Sequence, residues 1–183
     1  IEELPKLPQI VSGYNKRSIE ISKRLFNSIS NKTIITSVLE AELVKLFSNA
    51  WRYINFSISN QFYIISEKFN INFKKLRNNM IDGYDRNKSM PMAGFAAGPC
   101  LYKDTAQLNA FLKNSFKLGI AATKINQSFP KVIYDKIKKK FGKKLKSKKI
   151  GILGIAFKSD IDDTRDSLSI DLLNFLRSKS LKV

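Results

Sequence analysis

The longest uninterrupted helical periodicity in the sequence runs from residue 38 to residue 69, and it constrains the fold more than any other feature. Apolar side chains recur there at helical spacing, with no Pro or Gly between them: Leu43, Phe47, Trp51, Ile54, Ile58, Phe62, Ile65 and Phe69. Such a helix would span roughly 45 Å at about 1.5 Å per residue. A second apolar set widens this surface: Leu46, Ala50, Tyr53 and Ile64. Because a helix that is apolar on more than one side needs several packing partners, we expect it to pair with a second copy in a dimer.

Shorter elements are expected on both sides of this helix. Upstream, the pattern predicts strands or extended links at residues 8–13 and 32–37, with a helix at 15–30. Downstream, it predicts helices at residues 73–81, 103–118, 121–141 (broken near Pro130) and 167–178. Residues 150–157 are apolar in the manner of a buried strand, and with the helix that follows they predict the opening of an α/β unit.

The composition bears on the class of protein. The net charge of +18 is typical of nucleic-acid-binding proteins, because phosphate neutralisation dominates non-specific binding. The excess is largely lysine, however, and arginines, which bind phosphates and bases through two parallel bonds, are few. The lysine-dense residues 136–149 are therefore better explained as a solvated helix end and linker than as a nucleic-acid site.

Other features indicate a soluble, cytoplasmic protein. No apolar run approaches the ~20 residues of a membrane helix. The start of the sequence, Ile-Glu-Glu-Leu-Pro, lacks the charged and apolar regions of a signal peptide. The single cysteine excludes an internal disulfide framework and fits a reducing compartment. The sequence contains no histidine, so any chemistry must use Cys, Lys, Asp, Glu, Asn or bound water.

Cys100 is the first candidate for chemistry. It ends a loop rich in small residues and prolines, at residues 82–100, and it precedes a predicted helix whose N-terminal dipole would favour a thiolate. Lys103 and Asp104 lie one turn further on. A lone cysteine is more often a small buried hydrophobic residue, and the residues alone leave these two interpretations open.

Two further groups of residues are candidates for binding. Lys45 and Asn49, four residues apart, share one face of the long helix, although a solvated surface pair is the commoner interpretation. Phe157, Lys158 and Arg165 lie in a loop between the predicted strand and helix, a location that suits phosphate recognition. The acidic residues of this loop are better explained as solvent-exposed than as ligands of a metal ion.

Together these segments resemble the UDP-glucose/GDP-mannose dehydrogenase family. Residues 98–108, Gly-Pro-Cys-Leu-Tyr-Lys-Asp-Thr-Ala-Gln-Leu, are similar to its catalytic loop. Residues 41–50, Ala-Glu-Leu-Val-Lys-Leu-Phe-Ser-Asn-Ala, are similar to the start of its long central helix. Residues 156–167 resemble the opening of its nucleotide-sugar-binding domain. The resemblance implies an α/β protein with a helical central dimerisation domain, followed by the start of a Rossmann-like domain.

The resemblance also implies a reaction. Family members oxidise the C6 alcohol of a nucleotide sugar to the uronic acid in two NAD-dependent steps. Cys100 would carry the thiohemiacetal and thioester intermediates, while Lys45 and Asn49 would stabilise the developing oxyanion. Asp104 would orient or activate water. No metal is called for.

The remaining roles implied by the resemblance concern binding. Gly98, Phe157 and Lys158 match substrate-contacting positions, and Arg86 resembles an arginine that reaches the sugar from the neighbouring subunit. Lys103 and Arg165 match positions near NAD. The family's catalytic loop is usually richer in glycine than residues 94–98, where Ala96 and Ala97 stand, and this suggests a subgroup acting on UDP-N-acetylhexosamines rather than on UDP-glucose.

The resemblance predicts three regions, namely 1–36 as the end of an NAD-binding Rossmann domain, 37–145 as the central helical domain, and 146–183 as the start of a UDP-sugar-binding domain. Most of the NAD-binding domain would lie outside this sequence, so we expect this stretch alone to be inactive. Two alternatives stay open: a non-catalytic dimerisation fragment of such an enzyme, and a basic nucleic-acid-binding protein.

Overall fold

The structure is a computed structural model that describes residues 4–96 and 98–183. The predictions that fall on residues 1–3 and on Ala97 lie outside the described residues. The described chain is mostly helical with one small parallel sheet, which confirms the predicted α/β class with a helical central region. It divides into two compact units, Ile1–Ser48 and Asn49–Val183, and the division falls inside the long helix. The predicted domain boundaries after residues 36 and 145 stay predictions.

The first unit contains a small β-α-β arrangement. Strand β1 (Gln9–Val11) pairs in parallel with β2 (Thr33–Ile35), and helix α1 (Lys16–Asn27) connects them. Asn15 caps α1, because its side chain accepts a hydrogen bond from the Ser18 backbone N–H at 2.9 Å. Both strands and the helix confirm the predictions for this region.

Helix α2 (Val38–Lys68) confirms the long helix predicted from the apolar periodicity. Ser37 and Glu40 form a capping box at its start. The Ser37 backbone N–H donates to Glu40 Oε2 at 2.9 Å, and the Glu40 N–H donates to Ser37 Oγ at 3.3 Å. Hydrogen bonds from Thr36 and Ser37 lower the pKa of Glu40 to about 2, which keeps the helix start negatively charged.

The face of α2 that is buried differs from the one with the strongest apolar pattern. The buried residues are mostly small or polar: Ala50, Tyr53, Ser57, Ser59, Asn60 and Ser66. Large apolar residues stay exposed on the same helix: Phe47, Trp51, Ile58, Phe62 and Ile65. Apolar periodicity shows that a helix has an apolar face, but it does not show which molecule covers that face.

The helices after α2 surround the loop that leads to Cys100. They are α3 (Phe73–Ile81), α4 (Pro99–Phe111), α5 (Lys117–Gln127), α6 (Phe129–Phe141) and α7 (Leu168–Ser178). The predicted interruption near Pro130 is confirmed, because α5 ends before Ser128 and Pro130 lies in the first turn of α6. The predicted helix at residues 103–118 is confirmed only in part: α4 begins four residues earlier, since Pro99 suits a first helical position, and it ends at Phe111. Along the described residues, no helix is long and apolar enough to cross a membrane.

The prediction of a buried strand at residues 150–157 is wrong. These residues are not in a strand, and Leu153 is fully exposed. A strand needs neighbouring strands to receive its backbone hydrogen bonds, and in the described part of this segment the pairing is a single parallel bridge, Lys149 with Lys182. Next to this segment, two leucines of α7 pack with two leucines from the residues before and after it in one buried cluster: Leu145, Leu172, Leu176 and Leu181.

Candidate active site

Cys100 lies in the first turn of α4 and is exposed. Gly98 precedes the helix with φ 97° and ψ 159°, a backbone conformation that is almost restricted to glycine. Pro99 then occupies the first turn, where its missing N–H costs no helical hydrogen bond. The thiol therefore lies at the positive end of a 13-residue helix and is open to solvent, a location that suits a nucleophilic cysteine.

Asp104 lies one turn beyond Cys100 on α4 and is completely buried. The Asn49 side chain of α2 donates a hydrogen bond from Nδ2 to Asp104 Oδ2 at 2.6 Å. Residues four apart on a helix have Cβ atoms about 5–6 Å apart, so Cys100 and Asp104 share one face of α4. The structure thus joins Asn49 and Asp104 by a hydrogen bond and places Cys100 on the same helix as Asp104.

Two lysines lie on the same two helices, Lys103 on α4 and Lys45 on α2. Lys103 is largely exposed, and its Nζ lies 3.9 Å from Asp104 Oδ1. Lys45, also exposed, lies in the first compact unit, and the helical spacing of α2 places it on the same face of that helix as Asn49.

Gly98 contacts the ring of Phe157. A Cβ added at Gly98 would lie 2.7 Å from Phe157 Cε2 and 2.9 Å from Cγ, which is closer than any real side chain permits. The Gly98 N–H also donates to the Asp166 carbonyl oxygen at 3.2 Å, and the Phe157 N–H donates to the Asp163 carbonyl at 3.2 Å. The start of α4 and the loop after residue 156 are therefore packed against each other, with glycine allowing the close approach.

Phe157 and Lys158 line a large open cavity. Its volume is about 640 Å³, and its walls come from residues 153–162 with Thr164 and Ser169. Cavities of this size accommodate small organic molecules. Since Phe157 lines the cavity and also contacts Gly98, the cavity and the start of α4 share a wall.

Arg165 forms a bidentate pair with Asp163. Arg165 Nη2 donates to Asp163 Oδ2 at 2.7 Å and Nε donates to Oδ1 at 3.0 Å, and the backbone N–H of Arg165 also donates to Oδ1 at 2.9 Å. These hydrogen bonds lower the pKa of Asp163 to about 2 and raise the pKa of Arg165. The Arg165 pKa also responds weakly to Cys100, so this guanidinium lies within electrostatic range of the thiol.

Arg86 is exposed and lies on a short helical turn, Asp85–Asn87, which precedes the loop that leads to Cys100. Its assignment to a neighbouring subunit's site stays a prediction. Among the described residues, no group of three or more His, Cys, Asp or Glu side chains could hold a metal ion.

Comparison with known proteins adds to this geometry. A sequence profile of the UDP-glucose/GDP-mannose dehydrogenase family, central domain, matches residues 39–128. A UDP-N-acetyl-D-mannosamine dehydrogenase of Campylobacter jejuni is 30% identical over 98% of this chain and 44% of its own length. The chain belongs to the UDP-glucose/GDP-mannose dehydrogenase family. It spans less than half the length of the curated relatives it matches.

Other relatives and solved structures of the family agree. A UDP-glucose 6-dehydrogenase of Rickettsia bellii is 29% identical over the whole of this chain and 44% of its own length. The structure of a UDP-D-ManNAc dehydrogenase from Pyrococcus horikoshii has a TM-score of 0.84 and 26% identity, covering 99% of this chain and 44% of that one. A UDP-N-acetyl-mannosamine dehydrogenase from S. aureus has a TM-score of 0.81 and 29% identity, covering 97% and 42%.

Sequence reasoning missed a set of buried polar residues next to the loop that precedes Cys100. Asn60 of α2 and Asn126 of α5 are both fully buried and joined by a hydrogen bond of 2.9 Å. The signal was the spacing, because Asn60 follows Asn49 by 11 residues, about three helical turns, and so lies on the same face of α2. Two asparagines on the buried face of a long helix should each have a partner there.

Proposed function

We propose that this chain is part of an NAD-dependent nucleotide-sugar 6-dehydrogenase that oxidises the C6 alcohol of a UDP-sugar to the carboxylate. The observation that carries the proposal is the contact between Gly98 and Phe157. It joins an exposed cysteine at a helix start to a cavity large enough for a small ligand. A sugar whose nucleotide lay in the cavity could then present its C6 carbon to the thiol.

Cys100 is the proposed nucleophile. After the first oxidation converts the alcohol to an aldehyde, the sulfur adds to the aldehyde carbon to form a thiohemiacetal. The second oxidation converts this to a thioester, and water then cleaves the C–S bond to release the carboxylate and the free thiol. Overall, one alcohol, one water and two molecules of oxidised cofactor give one carboxylate, two reduced cofactors and three protons. The exposed position of Cys100 at the helix start leaves the sulfur accessible for both the addition and the final release.

Asn49, Asp104 and Lys45 are the proposed assisting residues. Asn49 and Lys45 would donate hydrogen bonds to the oxygen that becomes negatively charged in the thiohemiacetal. Asp104, held by Asn49 at 2.6 Å, would orient or activate the water that attacks the thioester. A buried carboxylate one turn from the nucleophile is suitably placed for this, and the chain needs no histidine.

The proposed substrate is a UDP-hexose or a UDP-N-acetylhexosamine. Relatives of this chain are UDP-N-acetyl-D-mannosamine dehydrogenases and a UDP-glucose 6-dehydrogenase, which supports a UDP-sugar as the substrate class. Phe157 and Lys158 would contact the substrate in the cavity, and Gly98 would leave room for it at the start of α4. Arg86 would reach the sugar from the partner of a dimer.

Lys103 and Arg165 are the residues proposed to hold NAD. Their side chains are exposed and cationic, and Arg165 is within electrostatic range of Cys100, so both fit the phosphates of a dinucleotide. When bound, NAD would accept the hydride in each oxidation. Arg165 would then share its guanidinium between Asp163 and a phosphate.

A homodimer through α2 is also proposed. Exposed apolar residues of α2 recur at helical spacing, namely Trp51, Ile58, Phe62 and Ile65, and Phe69 directly after the helix is exposed as well. A contiguous exposed stripe of this kind is typical of a protein–protein interface. A second copy of the helix, carrying the same stripe, is its natural partner because symmetric interfaces use one surface twice.

The test is an assay of NADH formation by the full-length protein with a panel of UDP- and GDP-sugars, compared with Cys100→Ser. We expect NADH formation with at least one UDP-sugar and its loss in the variant. Absence of NADH formation with every sugar would reject the enzyme and favour a non-catalytic dimerisation protein. Salt-dependent DNA binding that persists after Lys45 and Cys100 are replaced would favour the nucleic-acid alternative.

A further inference from the structure

Side chains of α2 and α3 donate hydrogen bonds to the backbone of the loop that precedes Cys100. Ser59 Oγ donates to the Pro91 carbonyl oxygen at 2.8 Å. Arg77 of α3 donates from Nε to the Met90 carbonyl at 3.0 Å. Ala96, further along the loop, is buried against Tyr53 and Ala122. We call the described part of this segment, residues 90–96, the approach loop.

Asn60 makes the most extensive of these attachments. Its Nδ2 donates to the Gly94 carbonyl oxygen at 3.0 Å, and its Oδ1 accepts from the Gly94 N–H at 2.8 Å. The same Nδ2 donates to Asn126 Oδ1 at 2.9 Å, and Asn126 Nδ2 donates to the Tyr53 carbonyl oxygen at 3.1 Å. One side-chain amide thus pairs with both backbone groups of Gly94, as a neighbouring strand would, and a second amide fixes its orientation.

The chemistry of this network specifies asparagine. An aspartate at position 60 would present oxygen to the Gly94 carbonyl and to Asn126 Oδ1, so both donated bonds would be lost in a site with no solvent exposure. An alanine would lose all three bonds of the Asn60 amide and leave both backbone groups of Gly94 without this partner. Buried polar groups that lose their partners are costly, so this part of the loop depends on Asn60.

Helix α2 carries both this network and a residue of the proposed active site. Asn60 and Asn49 lie on the same face of α2, about three turns apart. Asn49 holds Asp104 of α4, and Asn60 holds the loop that enters α4. Residues on both sides of Cys100, Gly94 before it and Asp104 after it, are therefore hydrogen-bonded to α2.

We propose that Asn60 is a positioning residue that, with Asn126, sets the place of Cys100 relative to Asn49 and Asp104. It acts through the approach loop and does not touch the substrate. The effect on catalysis rests on the proposed function. The hydrogen bonding of the approach loop by Asn60 is independent of that function.

The test compares Asn60→Ala with two controls in the full-length protein. Asn55→Ala removes the same residue type from the same helix, where the side chain donates only to the Trp51 carbonyl of its own helix at 2.8 Å. Val11→Ala removes buried volume from the other compact unit and controls for a general loss of stability. Amide hydrogen exchange of residues 90–101 and the kinetics of NADH formation are measured well below the unfolding temperature.

In Asn60→Ala, we expect exchange across residues 90–101 to accelerate about thirtyfold, as the loss of hydrogen bonds of ordinary net strength implies. We expect kcat to fall about tenfold or more with KM for the nucleotide sugar little changed, because the thiol is misplaced while the cavity is intact. Both controls should keep the exchange and kcat of the unsubstituted protein.

Unchanged exchange in Asn60→Ala would overturn the fastening of the loop. Faster exchange with unchanged kcat, or an equal loss of kcat in Val11→Ala, would overturn the positioning role. If the unsubstituted protein oxidised no nucleotide sugar, the proposed function would fail, and the exchange comparison would still decide whether Asn60 holds the approach loop.

Discussion

Replacing Gly98 with alanine should damage both the stability and the activity of the protein. Gly98 has φ 97° and ψ 159°, a region that costs an L-residue about 1–3 kcal/mol. The added Cβ would also lie 2.7 Å from Phe157 Cε2, and relieving such a contact in a packed site typically costs about 1–3 kcal/mol. The two costs together predict a loss of about 2–6 kcal/mol in the free energy of unfolding.

Two other glycines separate these costs. Gly83 has φ 65° but nothing within 4 Å of its added Cβ, so Gly83→Ala measures the backbone cost alone, about 1–2 kcal/mol. Gly151 has neither a positive φ nor a neighbour within 4 Å, so Gly151→Ala should be close to neutral. Urea unfolding followed by circular dichroism gives the three free energies. Steady-state NADH formation shows whether the displaced Phe157 also impairs substrate binding, as a rise in KM.

The order expected is therefore Gly98→Ala much less stable than Gly83→Ala, and Gly83→Ala less stable than Gly151→Ala. A Gly98→Ala protein as stable as Gly83→Ala would refute the close contact with Phe157. Unchanged KM and kcat in that variant would refute the shared wall between the cavity and the start of α4.

Three further predictions concern other parts of the chain. Because the pKa of Glu40 falls from 4.5 to about 2 on folding, its stabilising effect is complete above pH 4.5 and is lost as the pH falls towards 2. Glu40→Gln should remove this part of the pH dependence of the unfolding midpoint. An unchanged pH dependence would reject the capping role of Glu40. Phe62→Asp should convert a dimer to a monomer in analytical ultracentrifugation, whereas a wild-type mass would reject the α2 interface. Asn49→Ala should lower kcat about 10²–10³-fold, as loss of an oxyanion donor does, with Asn55→Ala as the control; equal rates in both would reject its role.

Local rules predicted the helices well. The long periodic run gave α2, and Pro130 marked the break between α5 and α6, because each signal depends on nearby residues alone. The predicted strand at residues 150–157 failed for the opposite reason. Apolar residues favour burial, but a strand forms only where other strands supply its hydrogen bonds, and a local pattern does not contain that information.

The sequence indicated the residues of the candidate site but not the contacts between them. Cys100 and Asp104 share a helix, and Asn49 shares another with Lys45, so spacing made them candidates, while their roles came from the resemblance to the family. The bond between Asn49 and Asp104 and the contact between Gly98 and Phe157 join residues more than 50 positions apart. The same is true of Asn60 and Asn126, whose partners become apparent only in the folded chain.

The covalent role of Cys100 is the central claim, and mass spectrometry of the full-length protein, quenched in acid during turnover of a UDP-sugar, tests it most directly. We expect the peptide that contains Cys100 to carry a nucleotide-uronate joined through a thioester, and Cys100→Ala to show neither the adduct nor turnover. A Cys100→Ala protein that forms NADH at the rate of the unsubstituted protein would contradict the claim.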